Sequence, residues 1–135
     1  MKKLLVVDDQ EITREVIKTC LEDSYEVIEA CDGLEAMRVL QRNTDIALIL
    51  LDLSMPNMNG EAFLFARSMM DEVSDIPVII ISSEDNEKII ETMKKAGANA
   101  YYVKPLDTEK LRETIKNIIG KEIKFGNTDK GYIVR

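Results

Sequence analysis

Apolar positions along this chain follow two rhythms that take turns. Short continuous runs, Leu4-Leu5-Val6-Val7, Ile46-Ala47-Leu48-Ile49-Leu50-Leu51, Val78-Ile79-Ile80-Ile81 and Ala100-Tyr101-Tyr102-Val103, read as parallel strands buried on both faces. A further run over 25–30 is interrupted by polar residues and predicts a more exposed strand. Between the runs, apolar residues recur at helical spacing. Ile12, Val16, Ile17, Cys20 and Leu21 predict an amphipathic helix over 11–22, and Leu34, Met37 and Leu40 mark one near 33–42 after an Asp32-Gly33 turn. Phe63, Leu64, Met70 and Val73 stripe a helix that follows a 54–60 loop broken by Pro56 and Gly60. Ser83 is expected to cap a helix over 84–96 that Gly97 ends. Asp107 or Thr108 should cap a last helix bearing Leu111, Ile115, Ile118 and Ile119 and closed by Gly120. Strand and helix alternate five times, which predicts an α/β domain: a five-stranded parallel sheet with helices on both faces.

The strand ends carry the chemistry. The first run stops at Asp8-Asp9, the third at Asp52, the fourth at Ser82-Ser83 and the fifth at Lys104-Pro105. Ligands of open parallel sheets bind at the carboxyl ends of the strands, so neighbouring runs would gather three carboxylates, a hydroxyl and an ammonium. Three ionised carboxylates in one place repel one another unless a cation joins them. Oxygen donors without His or Cys favour a hard ion, Mg2+ or Mn2+. Taken singly, Asp8-Asp9 reads better as a solvated turn with a helix N-cap, while Ser82 could be a helix cap and Lys104 a surface lysine. An Asp beside such a metal can act as a nucleophile toward phosphorus, with Lys104 and Ser82 receiving the phosphoryl oxygens.

Composition narrows the class. The net charge of −7 and pI near 4.7 argue against direct nucleic-acid binding, which needs clustered Lys and Arg. No apolar stretch approaches membrane-spanning length, and Asp8-Asp9 cut the Met1-Lys2-Lys3 start too short for a signal peptide, so a cytoplasmic protein is expected. Histidine is absent, which removes His acid–base catalysis and a phosphohistidine on this chain. Cys20 and Cys31 match no metal spacing and read as small residues in or near the core.

Residues 1–120 resemble the receiver domain of two-component response regulators. The matching pieces occur in family order: Val6-Val7-Asp8-Asp9; Ile49-Leu50-Leu51-Asp52-Leu53-Ser54-Met55-Pro56 with Gly60; Pro77 through Ser83; and Gly97 through Pro105. The resemblance implies a doubly wound, flavodoxin-like fold with strand order 2-1-3-4-5, the arrangement of a family member commonly cited for it. It implies that Asp52 is the phosphoacceptor, that Asp9, Asp52 and the Ser54 carbonyl hold the metal, and that Asp8 supports them. Lys104 would contact the phosphate, Ser82 would be the switch hydroxyl and Tyr101 the switch aromatic that turns inward. The implied donor is a histidine kinase, a histidine phosphotransfer protein or a small acyl phosphate. A downstream output domain or protein would read the face made by the 84–96 helix, the fifth strand and the 107–119 helix. The chain would then be a regulatory domain that catalyses only its own phosphorylation and dephosphorylation. Ser54 and Glu84 stand at positions resembling those that tune phosphoryl lifetime.

Other readings of the same pattern fare worse. A flavin or nucleotide binder needs a Gly/Ser/Thr-rich loop after the first strand, where Asp8-Asp9-Gln10-Glu11 stands instead. An Asp-nucleophile phosphatase would carry a second Asp where Ser54 lies. A receiver-fold module that binds partners unphosphorylated is the serious rival, and its acidic site would be left without purpose. The segment 121–135 reads as a tail, a hairpin, a linker or the start of a further element; homodimerisation is left open.

Overall fold

A computed structural model describes residues 1–121 together with 133 and 134. In chain order the elements are β1 (Lys3–Val7), α1 (Glu11–Leu21), β2 (Glu26–Ala30), α2 (Gly33–Arg42), β3 (Ile46–Leu51), α3 (Gly60–Ser68), β4 (Val78–Ser82), α4 (Glu87–Lys95), β5 (Ala100–Val103), α5 (Thr108–Lys121) and β6 (Ile133–Val134). All strand pairs are parallel, in the order β2-β1-β3-β4-β5-β6. The 2-1-3-4-5 order is as expected. The sixth strand is an addition: β6 lies beside β5 with Tyr101 opposite Ile133 and Tyr102 opposite Val134. Lys121 closes α5, and the tail reading for 122–132 and 135 falls outside the described residues.

Strand alternation divides the core in two. Leu5, Val7, Ile49 and Leu51 pack with Ala36 and Leu40 of α2, Phe63 and Leu64 of α3, and Ile90 and Met93 of α4. Leu4, Val6, Leu48 and Leu50 pack with Ile17 and Leu21 of α1 and with Leu111 and Ile115 of α5. Burial on both faces is why these strands read as unbroken apolar runs.

Several helix ends differ from the sequence expectation. The α4 cap is Asn86, whose Oδ1 accepts from the Lys88 and Ile89 amides, so Glu84 and Asp85 precede the helix and Ser83 is not its cap. The α3 helix stops at Ser68, leaving Met70 and Val73 in the following turn. That turn is held by Arg67, which is only 3% exposed and whose Nη1 donates to the carbonyls of Val73, Ser74 and Ile76. Gly120 lies inside α5 rather than ending it. Gly97, at φ +104, does end the α4 turn, and Asp107 caps α5 through the Glu109 and Lys110 amides. Cys31 is exposed, contrary to expectation, while Cys20 is half-buried; both are free thiols.

Candidate functional site

Sheet register brings the acidic residues together. Val7 is paired with Leu51, and the Asp52 amide donates to the Val7 carbonyl at 2.9 Å, so the next residues along the two strands, Asp8 and Asp52, emerge side by side. Asp9 follows, and the carboxylates of Asp8, Asp9 and Asp52 each offer an oxygen within 4.8 Å of the others. Asp8 and Asp52 are buried, whereas Asp9 faces solvent. A three-carboxylate, oxygen-only set of this kind suits a hard divalent cation that keeps several waters.

The remaining strand ends complete the crevice. On the far side, Ser82 pairs with Val103, and the Lys104 amide donates to the Ser82 carbonyl at 2.8 Å. The Lys104 ammonium reaches back to Asp8 Oδ2 at 3.3 Å and to Asp52 Oδ1 at 3.9 Å. Asp8 Oδ1 accepts from the Gln10 amide at 2.8 Å, so both of its oxygens are engaged. Asp52 is pushed up to about 6 by burial and then by the neighbouring Asp8 charge, against the opposing pull of Lys104 and of the Ser54 amide. At neutral pH the carboxylate is therefore mostly ionised although poorly solvated.

Ser82 and Tyr101 are both buried. The Ser82 hydroxyl accepts from the Glu84 amide at 3.1 Å, and the Tyr101 hydroxyl donates to the Glu84 carbonyl at 2.8 Å. Tyr101 thus points into the domain, held by the Glu84 carbonyl. Residues 53–59 between β3 and α3 carry Ser54, and the Gly60 amide closes the base of this loop by donating to the Leu53 carbonyl at 3.0 Å. A Cβ at Gly60 would drive into the Asp52 backbone, so only glycine permits that close approach.

Asp8, Asp9, Asp52 and Lys104 thus meet in one place, with Ser82 on the neighbouring strand end, tied to Lys104 through its carbonyl, and Ser54 on the adjoining loop; Ser83 faces solvent. Sequence reasoning missed three supporting residues. Arg14 of α1 donates to the Asp8 carbonyl at 2.6 Å and pairs with Glu29 at 3.1 Å. Asp32 and Asn57 join across the β2–α2 and β3–α3 loops at 2.6 Å. Their only sequence signal was their place in turn-forming segments.

Comparison with known proteins agrees with this geometry. Residues 4–116 match the model of the response regulator receiver domain. The chain belongs to that family. This receiver domain is 38% identical over 120 residues to the chemotaxis protein CheY1 of Helicobacter pylori, covering 87% of this chain and 97% of the relative. It is 35% identical over 120 residues to a CheY homolog of Campylobacter jejuni, covering 87% and 92%. Among solved structures, Vibrio cholerae CheY4 superposes with a TM-score of 0.81 at 32% identity, over 87% of this chain and 98% of that one. The CheX–CheY–BeF3–Mg2+ complex of Borrelia burgdorferi matches with a TM-score of 0.79 at 27% identity, over 91% and 90%. The receiver domain is thus CheY-like, a regulatory signalling class rather than a conventional enzyme. No helix among the described residues is long and apolar enough to cross a membrane.

Proposed function

We propose that this receiver domain is a phosphoacceptor switch of a two-component relay, working in the cytoplasm. The observation that carries the reading is Asp52: a buried, raised carboxylate beside two further carboxylates and within 3.9 Å of a lysine ammonium. An Asp52 oxygen attacks the donor's phosphorus, forming a P–O bond while the donor's P–N bond breaks (P–O for an acyl phosphate). The bonding pair leaves with the donor's imidazole or carboxylate. The transferred group is an aspartyl phosphate. Mg2+ held by Asp9, Asp52 and the Ser54 carbonyl would neutralise charge on the phosphoryl oxygens. Asp8 has both oxygens occupied by Gln10 and Lys104, which supports a positioning part for it and a ligand part for Asp9.

Lys104 offsets charge on the phosphoryl group, and Ser82 donates its hydroxyl proton to a phosphoryl oxygen after leaving the Glu84 amide. Because Glu84 also holds the Tyr101 hydroxyl, that movement is felt on the face of α4, β5 and α5, where an output partner reads it. Histidine kinases or phosphotransfer proteins are the proposed donors. Exposed Val16 of α1 lines a groove of about 220 Å3 together with Ile17, Lys104, Pro105 and Leu106, an apolar seat next to the strand-end cluster. Ser54 and Glu84 are proposed to tune decay; Ser54→Asn and Glu84→Ala variants that dephosphorylate at the wild-type rate would remove that idea.

The test is incubation with acetyl phosphate and Mg2+, followed by detection of acid-stable, base-labile phosphate on the chain. Wild type should label and Asp52→Asn should not, while keeping its fold. No labelling from acetyl phosphate or from a panel of kinases would leave the partner-binding module without phosphorylation as the better reading.

A further inference from the structure

Ser54 contributes to the Asp52 site in two ways: its backbone amide lowers the Asp52 titration, and its carbonyl is a proposed metal ligand. Its position is set by the 53–59 loop, whose far end is fastened to the start of α2. Asn57 sits at φ +66, a left-handed conformation that Asn tolerates better than most residues. From there its Nδ2 donates to Asp32 Oδ2 at 2.6 Å. The next residue, Met58, accepts from the Gly33 amide at 3.0 Å, and a Cβ at Gly33 would collide with Met58.

Asp32 is itself fixed. It is 8% exposed, and its other oxygen accepts from the Glu35 amide at 2.8 Å, capping α2. Glu35 reaches back to the Cys31 amide at 2.9 Å, so the whole β2–α2 turn is rigid. The same turn touches the acidic pair from the other side, because the Asp8 amide donates to the Ala30 carbonyl at 3.1 Å. One short segment, 30–33, thereby links Asp8, just past β1, to the loop that carries Ser54. Neither Asp32 nor Asn57 is among the three clustered carboxylates or within the Lys104 ion pairs.

We propose that Asp32 and Asn57 are positioning residues for the phosphoacceptor site, a latch that holds Ser54 in register with Asp52 and Asp9 and so sets metal affinity there. The inference rests on the phosphoacceptor reading for its chemistry, but its primary readout is binding of Mg2+ alone. Groups that orient metal ligands from outside the ligand shell change affinity by about 10–100-fold when removed.

Asn57→Gly deletes the latch while accommodating φ +66 without strain. Asn57→Asp opposes two carboxylates and breaks it by repulsion. Asp32→Asn with Asn57→Asp restores a hydrogen bond with the partners exchanged, and the introduced asparagine is as able a cap for α2 as the aspartate it replaces. Calorimetric titration with Mg2+ should show both single variants at position 57 weakened by roughly tenfold and the exchanged pair back near wild type. Acetyl phosphate labelling of the same proteins should slow and recover in parallel. Single variants that bind Mg2+ as wild type does would overturn the latch, as would an exchanged pair that stays as weak as Asn57→Asp while folded by circular dichroism. A wild-type chain that binds Mg2+ but takes no phosphoryl group would overturn the phosphoacceptor reading and leave the latch standing.

Discussion

Ser82 and Tyr101 are joined through the two backbone polar groups of one residue, since the Glu84 amide donates to Ser82 and the Glu84 carbonyl accepts from Tyr101. Neither side chain can leave its place without disturbing the other's partner. Ser82→Ala and Tyr101→Phe should each cost about 1 kcal/mol of stability. In a double-mutant cycle by denaturant unfolding they should couple by at least about 0.5 kcal/mol. Strict additivity would mean that the Glu84 backbone does not transmit between them.

Asp52 makes the stability of the domain depend on pH in an unusual direction. Its folded-state value, about 6, lies above the ordinary carboxylate value of 3.8. Between these values the folded chain binds the proton and the unfolded chain does not, so stability falls as pH rises through the window. Above it the full cost applies, about 3 kcal/mol for a shift of this size. Without added metal, Asp52→Asn should therefore be more stable than wild type at pH 7 by about 2–3 kcal/mol, with the gain vanishing near pH 4. Equal midpoints in urea at pH 7 would contradict the assignment of burial and Asp8 as the causes.

Lys104 divides its charge between Asp8 and Asp52. Lys104→Met should raise the Asp52 titration further, above about 6, and carbon-detected carboxylate NMR reads this directly. The same variant should label more slowly with acetyl phosphate. A titration midpoint that stays put or falls would show that Lys104 serves Asp8 alone.

Val16 is 50% exposed on α1 and lines the groove that Lys104 also lines. If a protein donor seats there, Val16→Glu should slow transfer from a histidine phosphotransfer domain by about tenfold, the scale of losing one apolar contact of an interface core. Labelling by acetyl phosphate needs no such seat and should be unchanged. Equal slowing of both donors would place the effect at Asp52 rather than at docking.

Arg67 holds the α3–β4 connection through three carbonyls from a nearly buried position, while its Nε has no hydrogen-bond partner. Arg67→Met should destabilise by roughly 1.5–3 kcal/mol, as bonds to a charged donor are lost, and amide exchange over 70–76 should speed up. Unchanged exchange there would mean that the turn holds itself.

The apolar runs made the sheet legible from sequence because strands buried on both faces leave no other pattern; β3 has the expected bounds, 46–51. Strand-end chemistry was legible for the same reason, since Asp8 and Asp52 become neighbours once β1 and β3 are paired. Helix ends were harder. Ser83 and Asn86 are both able caps, and Ser82 accepts the Glu84 amide, which leaves Asn86 to start α4. The end of α3 depends on where a single arginine finds its carbonyls, which no periodicity encodes. The Asp32–Asn57 bond joins residues far apart in the chain, and side-chain pairs of that kind leave no spacing to detect.

The β6 strand changes how copies of this protein can meet. An uncovered outer strand offers a row of amides and carbonyls on which a second chain can extend the sheet, the usual seed of edge-to-edge aggregation. Here the chain lays Ile133–Val134 along Tyr101–Tyr102 of β5 itself. A continuous intermolecular sheet built directly on β5 would first have to displace that strand of the molecule's own. A homodimer that extends the sheet on this flank with β6 in place would pair with Ile133–Val134, a two-residue edge, rather than with β5.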